Sequence, residues 1–148
     1  MAHTYTDLLL HIVFSTKDRS PLLTPTVKAK LFPYMSGITS NLKCKACVFN
    51  GPTDHVHGLV ELSREVAVSD FLRLLKTNSS KWVGDEFPAA RFGWQTGYGA
   101  FTVSRSKMQE VYDYIANQEQ HHKKMTFQQE FTALLLKHGM KPDDYTWR

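Results

Sequence analysis

The chain has 148 residues, of which 42% are hydrophobic and 22% charged. That is the composition of one ordinary globular domain, not of a disordered chain. Lys and Arg number 18 against 14 Asp and Glu, a net charge of +4 that leans towards an anionic partner without requiring one. No run approaches the roughly 18 apolar residues of a membrane span, the first residues lack a signal-peptide pattern, and two cysteines make no disulfide scaffold. The expected compartment is the cytoplasm.

Residues 7–15, DLLLHIVFS, read as a first strand. Its even positions Leu8, Leu10, Ile12 and Phe14 form an apolar face, and its odd positions, His11 among them, a mixed one. After a polar loop over 16–21, Thr24 or Thr26 caps a first helix to about residue 41, with Pro33 and Gly37 expected to kink or shorten it. Residues 45–50 are a second strand, 51–54 (GPTD) a hairpin turn, and 55–62 a third strand. Ser69 caps a second helix with Phe71, Leu72, Leu75 and Trp82 on one stripe. A long connection over 84–97 leads to a fourth strand at 98–103. A third helix spans about 105–122, and a capping box of Thr126 and Gln129 opens a fourth over about 126–139. The order β-α-β-β-α-β followed by two helices predicts an α/β (α+β) domain over 1–148. It is a ferredoxin-like, RRM-like four-stranded antiparallel sheet with strands one and three in the middle. Two helices cover one face, and the last helices are available for the other.

In the third strand His55 and His57 share a face, while Val56, Val60 and Leu62 point the other way. Two imidazoles side by side suit a metal, although so short a pattern also occurs on plain solvated sheet faces. In the third helix Met108, Val111, Tyr112 and Ile115 make the apolar stripe, which assigns Tyr112 to the core. Tyr114 falls instead on a polar stripe with Asn117, Gln118 and His121, a position equally met by half-exposed amphipathic tyrosines.

His55-Val56-His57 is similar to the His-hydrophobic-His signature of HUH nucleases, and Tyr114-Ile115-Ala116-Asn117-Gln118 resembles the tyrosine helix of single-tyrosine HUH transposases, the TnpA-like enzymes of small insertion sequences. The resemblance extends over HIVFSTK (11–17), KTNSSKW (76–82), WQTGYGAF (94–101) and NQEQHH (117–122), nearly the whole chain; Thr53, where many relatives have proline, alters only a turn. It implies that His55, His57 and Gln118 hold a divalent metal and that Tyr114 is the nucleophile. The implied reaction cuts single-stranded DNA to a 5′-phosphotyrosine and a free 3′-hydroxyl, then rejoins it to another end. It further implies Mg²⁺ or Mn²⁺ as cofactor, hairpin-containing element ends as substrate and a homodimer as the working unit. Mn²⁺ should bind the more tightly, because it accepts imidazole more readily than Mg²⁺.

Lys17, Arg19, Arg73, Lys76 and Lys81 are candidate contacts to the DNA strand. His11, on the mixed face of strand one, could border the metal. Three other readings are weighed. The Cys44-x-x-Cys47 pair lacks two further zinc ligands and reads as structural. A non-enzymatic RRM-like domain binding single-stranded RNA or DNA would want aromatics on strand three, where histidines stand. A water-using metal hydrolase would need a carboxylate at the metal, for which Glu61, on the histidine face, is the candidate.

Overall fold

The computed structural model describes residues 3–143 and 146. The strands are β1 (Leu9–Ser15), β2 (Lys45–Asn50), β3 (His55–Glu61) and β4 (Gly99–Thr102), and the helices are α1 (Pro25–Asn41), α2 (Val68–Glu86), α3 (Met108–Ala116), α4 (Gln118–His121) and α5 (Phe127–Lys137). The sheet order is β2-β3-β1-β4, antiparallel throughout, with β1 and β3 central as the element order implies. Ile12 stands opposite Gly58, and Val13 opposite His57.

One face is the main apolar core. Leu10, Ile12 and Phe14 of β1 and Val56 and Val60 of β3 pack with Leu31 and Met35 of α1 and Phe71, Leu72 and Leu75 of α2. Thr24 caps α1 by accepting from the Val27 amide. That helix runs straight through Pro33 and Gly37, because Leu31, Met35 and Ile38 anchor it to the sheet on both sides. α2 likewise outruns its expected end at Gly84, held by the fully buried Val83. Its N-cap is Ala67, not Ser69, and offers no side-chain cap.

The second face is closed by the chain's end. All seven residues of β1 are buried, including the mixed face. Leu9 and Leu59 pack against Ile115 of α3, and Val13 and Phe101 against Phe127 and Phe131 of α5. Among the described residues the sheet is therefore helix-covered on both sides, which disfavours the RRM-like reading, whose bases stack on an open face.

The helix expected over 105–122 divides at Asn117. Its side chain donates to the Asp113 carbonyl, competing locally with the helix ladder, and the backbone leaves helical geometry there. From β2, the Asn50 amide donates to the Ile115 and Ala116 carbonyls at 3.0 and 3.1 Å, adding a partner to acceptors at the helix end. These bonds pin the end of α3 to the sheet.

Candidate metal centre

β3 delivers His55 and His57 to the face away from α1 and α2, both fully buried. Their neighbours come from β1, from the turn before β3 and from the helices at the end of the chain. Glu130 of α5 reaches down between them: its Oε1 accepts from His55 Nε2 at 3.0 Å, His57 Nε2 at 2.7 Å and His122 Nε2 at 2.9 Å. Its Oε2 accepts from the Tyr114 hydroxyl and from Gln118 Nε2, the latter at 3.2 Å. Behind the histidines stand two further partners. His55 Nδ1 donates to Asp54 Oδ1 at 2.7 Å, and His57 Nδ1 shares a hydrogen with His11 Nε2 at 2.7 Å. A ligand imidazole is ordinarily oriented this way, its far nitrogen tied to a carboxylate or another acceptor.

Burial sets the charges. Desolvation pushes His57 down to about 4 and His11 to about 3, so both are neutral at physiological pH. His55 is different: burial works against its charge, but the bonds to Asp54 and Glu130 outweigh it and raise its pKa. Burial favours the protonated form of Glu130, yet hydrogen bonds from His122, His55 and His57 hold its carboxyl well below the usual range. Desolvation first, and Glu130 second, push the Tyr114 phenol above its ordinary value.

The donor set fits a divalent cation. One nitrogen each from His55, His57 and His122 and an oxygen of Glu130 lie within 4.8 Å of one another. Gln118 is buried with its amide nitrogen turned to the carboxylate, which can only accept, so its orientation is determined. Its Oε1 has no hydrogen-bond partner among the described residues, the condition of an amide oxygen that a cation would satisfy.

A family described as transposase, IS200-like, matches residues 4–118. The chain belongs to the IS200-like transposases. Insertion-sequence IS200 transposases of Salmonella typhimurium and Salmonella typhi are 28% identical over 131 residues, covering 80% of this chain and 81% of theirs. Among solved structures, a protein from Deinococcus radiodurans described as a transposase is 24% identical with a TM-score of 0.65, over 80% of this chain and 96% of that one. A REP-associated tyrosine transposase bound to a REP hairpin is 14% identical with a TM-score of 0.62, over 98% and 89% of the two chains. As in these transposase folds, the sheet is four-stranded and antiparallel with helices packed on it. Among the described residues no helix is long and apolar enough to cross a membrane.

Of the expected site residues, the fold brings His55, His57, Tyr114 and Gln118 to one carboxylate, and His11 borders them. The stripe assignment of the two tyrosines is corrected. Tyr112 is 38% exposed, whereas Tyr114 packs with Met108 and Val111 over Leu9, Leu59 and Ile115. α3 lies over β2 and β3, so the flank carrying Tyr114 faces inward to the histidines and the flank carrying Tyr112 faces solvent. The side chain of His121 lies outside the described residues. Glu61 is not among the clustered side chains; it pairs with Arg105 and Lys45.

Glu130 escaped the sequence reading, though it left a signal. It falls on the apolar stripe of α5 with Phe127, Phe131 and Leu134, where a carboxylate needs a partner. His122 ends the NQEQHH stretch (117–122), to which the resemblance assigns no ligand beyond Gln118, and Asp54 ends the GPTD turn. The basic candidates divide. Lys17 and Arg19 line a cleft of about 420 Å³ with Ser15, Gln95, Trp94 and Phe127, at the α5 side of the sheet. Arg73 pairs with Asp70 on the surface of α2, and Lys81 lies in the groove between α1 and α2 with Tyr34 and Trp82. Lys76 is committed to the fold: its Nζ donates to the Gln95 and Gly97 carbonyls at 2.7 Å each, and burial lowers its pKa to about 8.

Proposed function

We propose that the chain is a single-stranded DNA transposase that cuts and rejoins DNA through a 5′-phosphotyrosine on Tyr114, as one catalytic domain over residues 1–148. The observation that carries this reading is the convergence of the Tyr114 hydroxyl and the His55–His57 pair on one buried carboxylate. His55, His57 and Gln118 would hold the divalent metal, Mg²⁺ or Mn²⁺. When bound, it supplies Lewis-acid polarisation of the scissile phosphate.

The chain's own residues do the rest. A phenol with a raised pKa is a weak nucleophile until its proton has somewhere to go. Glu130 Oε2 already accepts that hydrogen bond and orients the hydroxyl. In the cleavage step the Tyr114 oxygen forms a bond to phosphorus and the bond from phosphorus to the 3′ oxygen breaks. Glu130 orients the hydroxyl by its hydrogen bond, the phenolic proton is lost to solvent water, and the departing oxygen takes a proton from water to become the 3′-hydroxyl. The link keeps the energy of the phosphodiester, so a different 3′-hydroxyl reverses the step and joins new ends. A cleft of about 480 Å³ beside Tyr114 and Glu130, lined also by His11, Val111 and Leu134, offers an approach. Lys17 and Arg19 would hold phosphates on the other side of α5, with Arg73 and Lys81 as more distant contacts, while Lys76 supports the connection before β4. A REP hairpin is the DNA held by one structural relative, and we extend hairpin-containing element ends to this chain as substrate. The working unit is a homodimer, because transposition exchanges two ends and each chain carries one such tyrosine.

The test is incubation with labelled single-stranded hairpin DNA and Mn²⁺, followed by a denaturing gel. The wild-type chain and Tyr112→Phe should form a covalent adduct and a cleaved product, and Tyr114→Phe neither. His57→Ala should bind DNA, since phosphate contacts supply the affinity, but not cut it. An adduct in Tyr114→Phe, mapped to Tyr112, overturns the assignment. Cleavage without an adduct would mean a hydrolase, and binding alone a non-enzymatic domain.

A further inference from the structure

The match to the family ends at Gln118, yet two members of the buried cluster, His122 and Glu130, lie beyond it. We infer that His122 and Glu130 are themselves metal ligands, giving this transposase a centre of three imidazoles, one carboxylate and one amide that takes a first-row transition ion in preference to Mg²⁺. The inference rests on the reading of His55 and His57 as ligands given above.

The geometry points there in three ways. First, three Nε2 atoms from β3 and from the turn after α4 aim at one point, each within 3.0 Å of Glu130 Oε1. A carboxylate oxygen offers about two lone pairs, and Oε2 is already engaged by Tyr114 and Gln118. Five donors on one carboxylate exceed its roughly four lone-pair sites, and a cation taken by the imidazole nitrogens together with Oε1 would relieve that crowding. Second, Glu130 is 1% exposed and no Lys or Arg reaches it, so imidazoles and a cation are the partners available to its charge among the described residues. Third, the orphaned Gln118 oxygen belongs to a side chain bonded to this same carboxylate.

The ligand types then decide the metal. Mg²⁺ demands oxygen and keeps several waters, whereas imidazole suits transition ions. Three imidazoles oppose Mg²⁺ more strongly than the two of the histidine pair alone. The carboxylate cancels one unit of the ion's charge and raises affinity in the absence of DNA.

The experiment is Mn²⁺ binding to the full chain without DNA, by calorimetry and by pulsed electron paramagnetic resonance that counts coupled imidazole nitrogens. The expected result is one Mn²⁺ per chain with three imidazoles, held at least about tenfold tighter than Mg²⁺. His122→Asn should show two imidazoles. His122→Asn and Glu130→Gln should each weaken Mn²⁺ at least about tenfold, with unchanged circular dichroism. Two imidazoles in the wild-type chain, with unaltered affinity in both variants and lost binding in His57→Ala, would overturn the inference while leaving the His55–His57 site standing. Wild-type binding by His57→Ala would overturn both. The nitrogen count on the unmutated chain decides the matter even if a variant fails to fold.

Discussion

At the scale of single residues, the site stores a cost that the metal-free protein reveals on acidification. His11 and His57 accept protons near 6.5 when unfolded but only at about 3 and 4 in the fold. Between those values the unfolded chain binds more protons, so stability falls as pH falls. Each group contributes roughly 1.4 kcal/mol per pH unit at full effect. His55, whose pKa is raised, is charged in both states below 6.5 and adds no slope there. Glu130, whose pKa is depressed, stabilises the fold above its ordinary 4.5 and adds to the loss below it. Urea unfolding of metal-free protein at pH 6.5, 5.5 and 4.5 should show this decline, and His11→Phe should remove about half of it over the upper two points. A flat profile would contradict the burial of two neutral imidazoles.

Among the elements, α5 has the most to do with the least support. Its start is a capping box in which Thr126 accepts from the Gln129 amide and Gln129 returns a bond to the Thr126 amide. Its packing runs through Phe131, whose ring comes within 2.7 Å of where a side chain at Gly99 of β4 would begin. Gly99 is thus required for closeness of approach. Gly99→Val should displace Phe131, lower stability by roughly 1–3 kcal/mol, and pull the adjacent Glu130 away from the histidines. Thr126→Ala should cost about 1 kcal/mol through the lost cap alone. Thermal unfolding with and without Mn²⁺ separates the two: the stabilisation by Mn²⁺ should shrink in Gly99→Val and persist in Thr126→Ala. Equal Mn²⁺ stabilisation in both would mean that α5 does not carry a ligand.

For the whole molecule, the question is how many chains make one site. In this structure Tyr114 stands 5.9 Å, ring to ring, from His57 of its own chain. The chain after β4 reaches it through a short turn at Arg105–Lys107, tied to the sheet by Arg105 with Asp7 and Glu61. A mixed dimer of His57→Ala and Tyr114→Phe chains tests the alternatives. If the tyrosine helix can serve the other chain's histidines, one composite site keeps every group and the mixture cuts DNA. If each chain works only with its own tyrosine, both sites are defective and the mixture is inactive.

What the sequence by itself determined is what local periodicity dictates. The two-residue repeat of β3 sends His55 and His57 to one side and Val56 and Val60 to the other. The element order places β1 and β3 at the centre, and the capping box marks the start of α5. A repeat states only a side chain's direction relative to its own backbone. It is silent on what stands opposite. Glu130 is 73 residues from His57, and nothing short of packing α5 onto the sheet brings them within 2.7 Å. Tyr112 and Tyr114 occupy opposite flanks of one stripe, and only the placement of α3 over β2 and β3 decides which flank is buried. Lys76 reads as one more surface charge until the connection before β4 folds back and presents it with two carbonyls. These outcomes depend on which distant surfaces bury one another, a property of the assembled core that no stretch of a few residues contains.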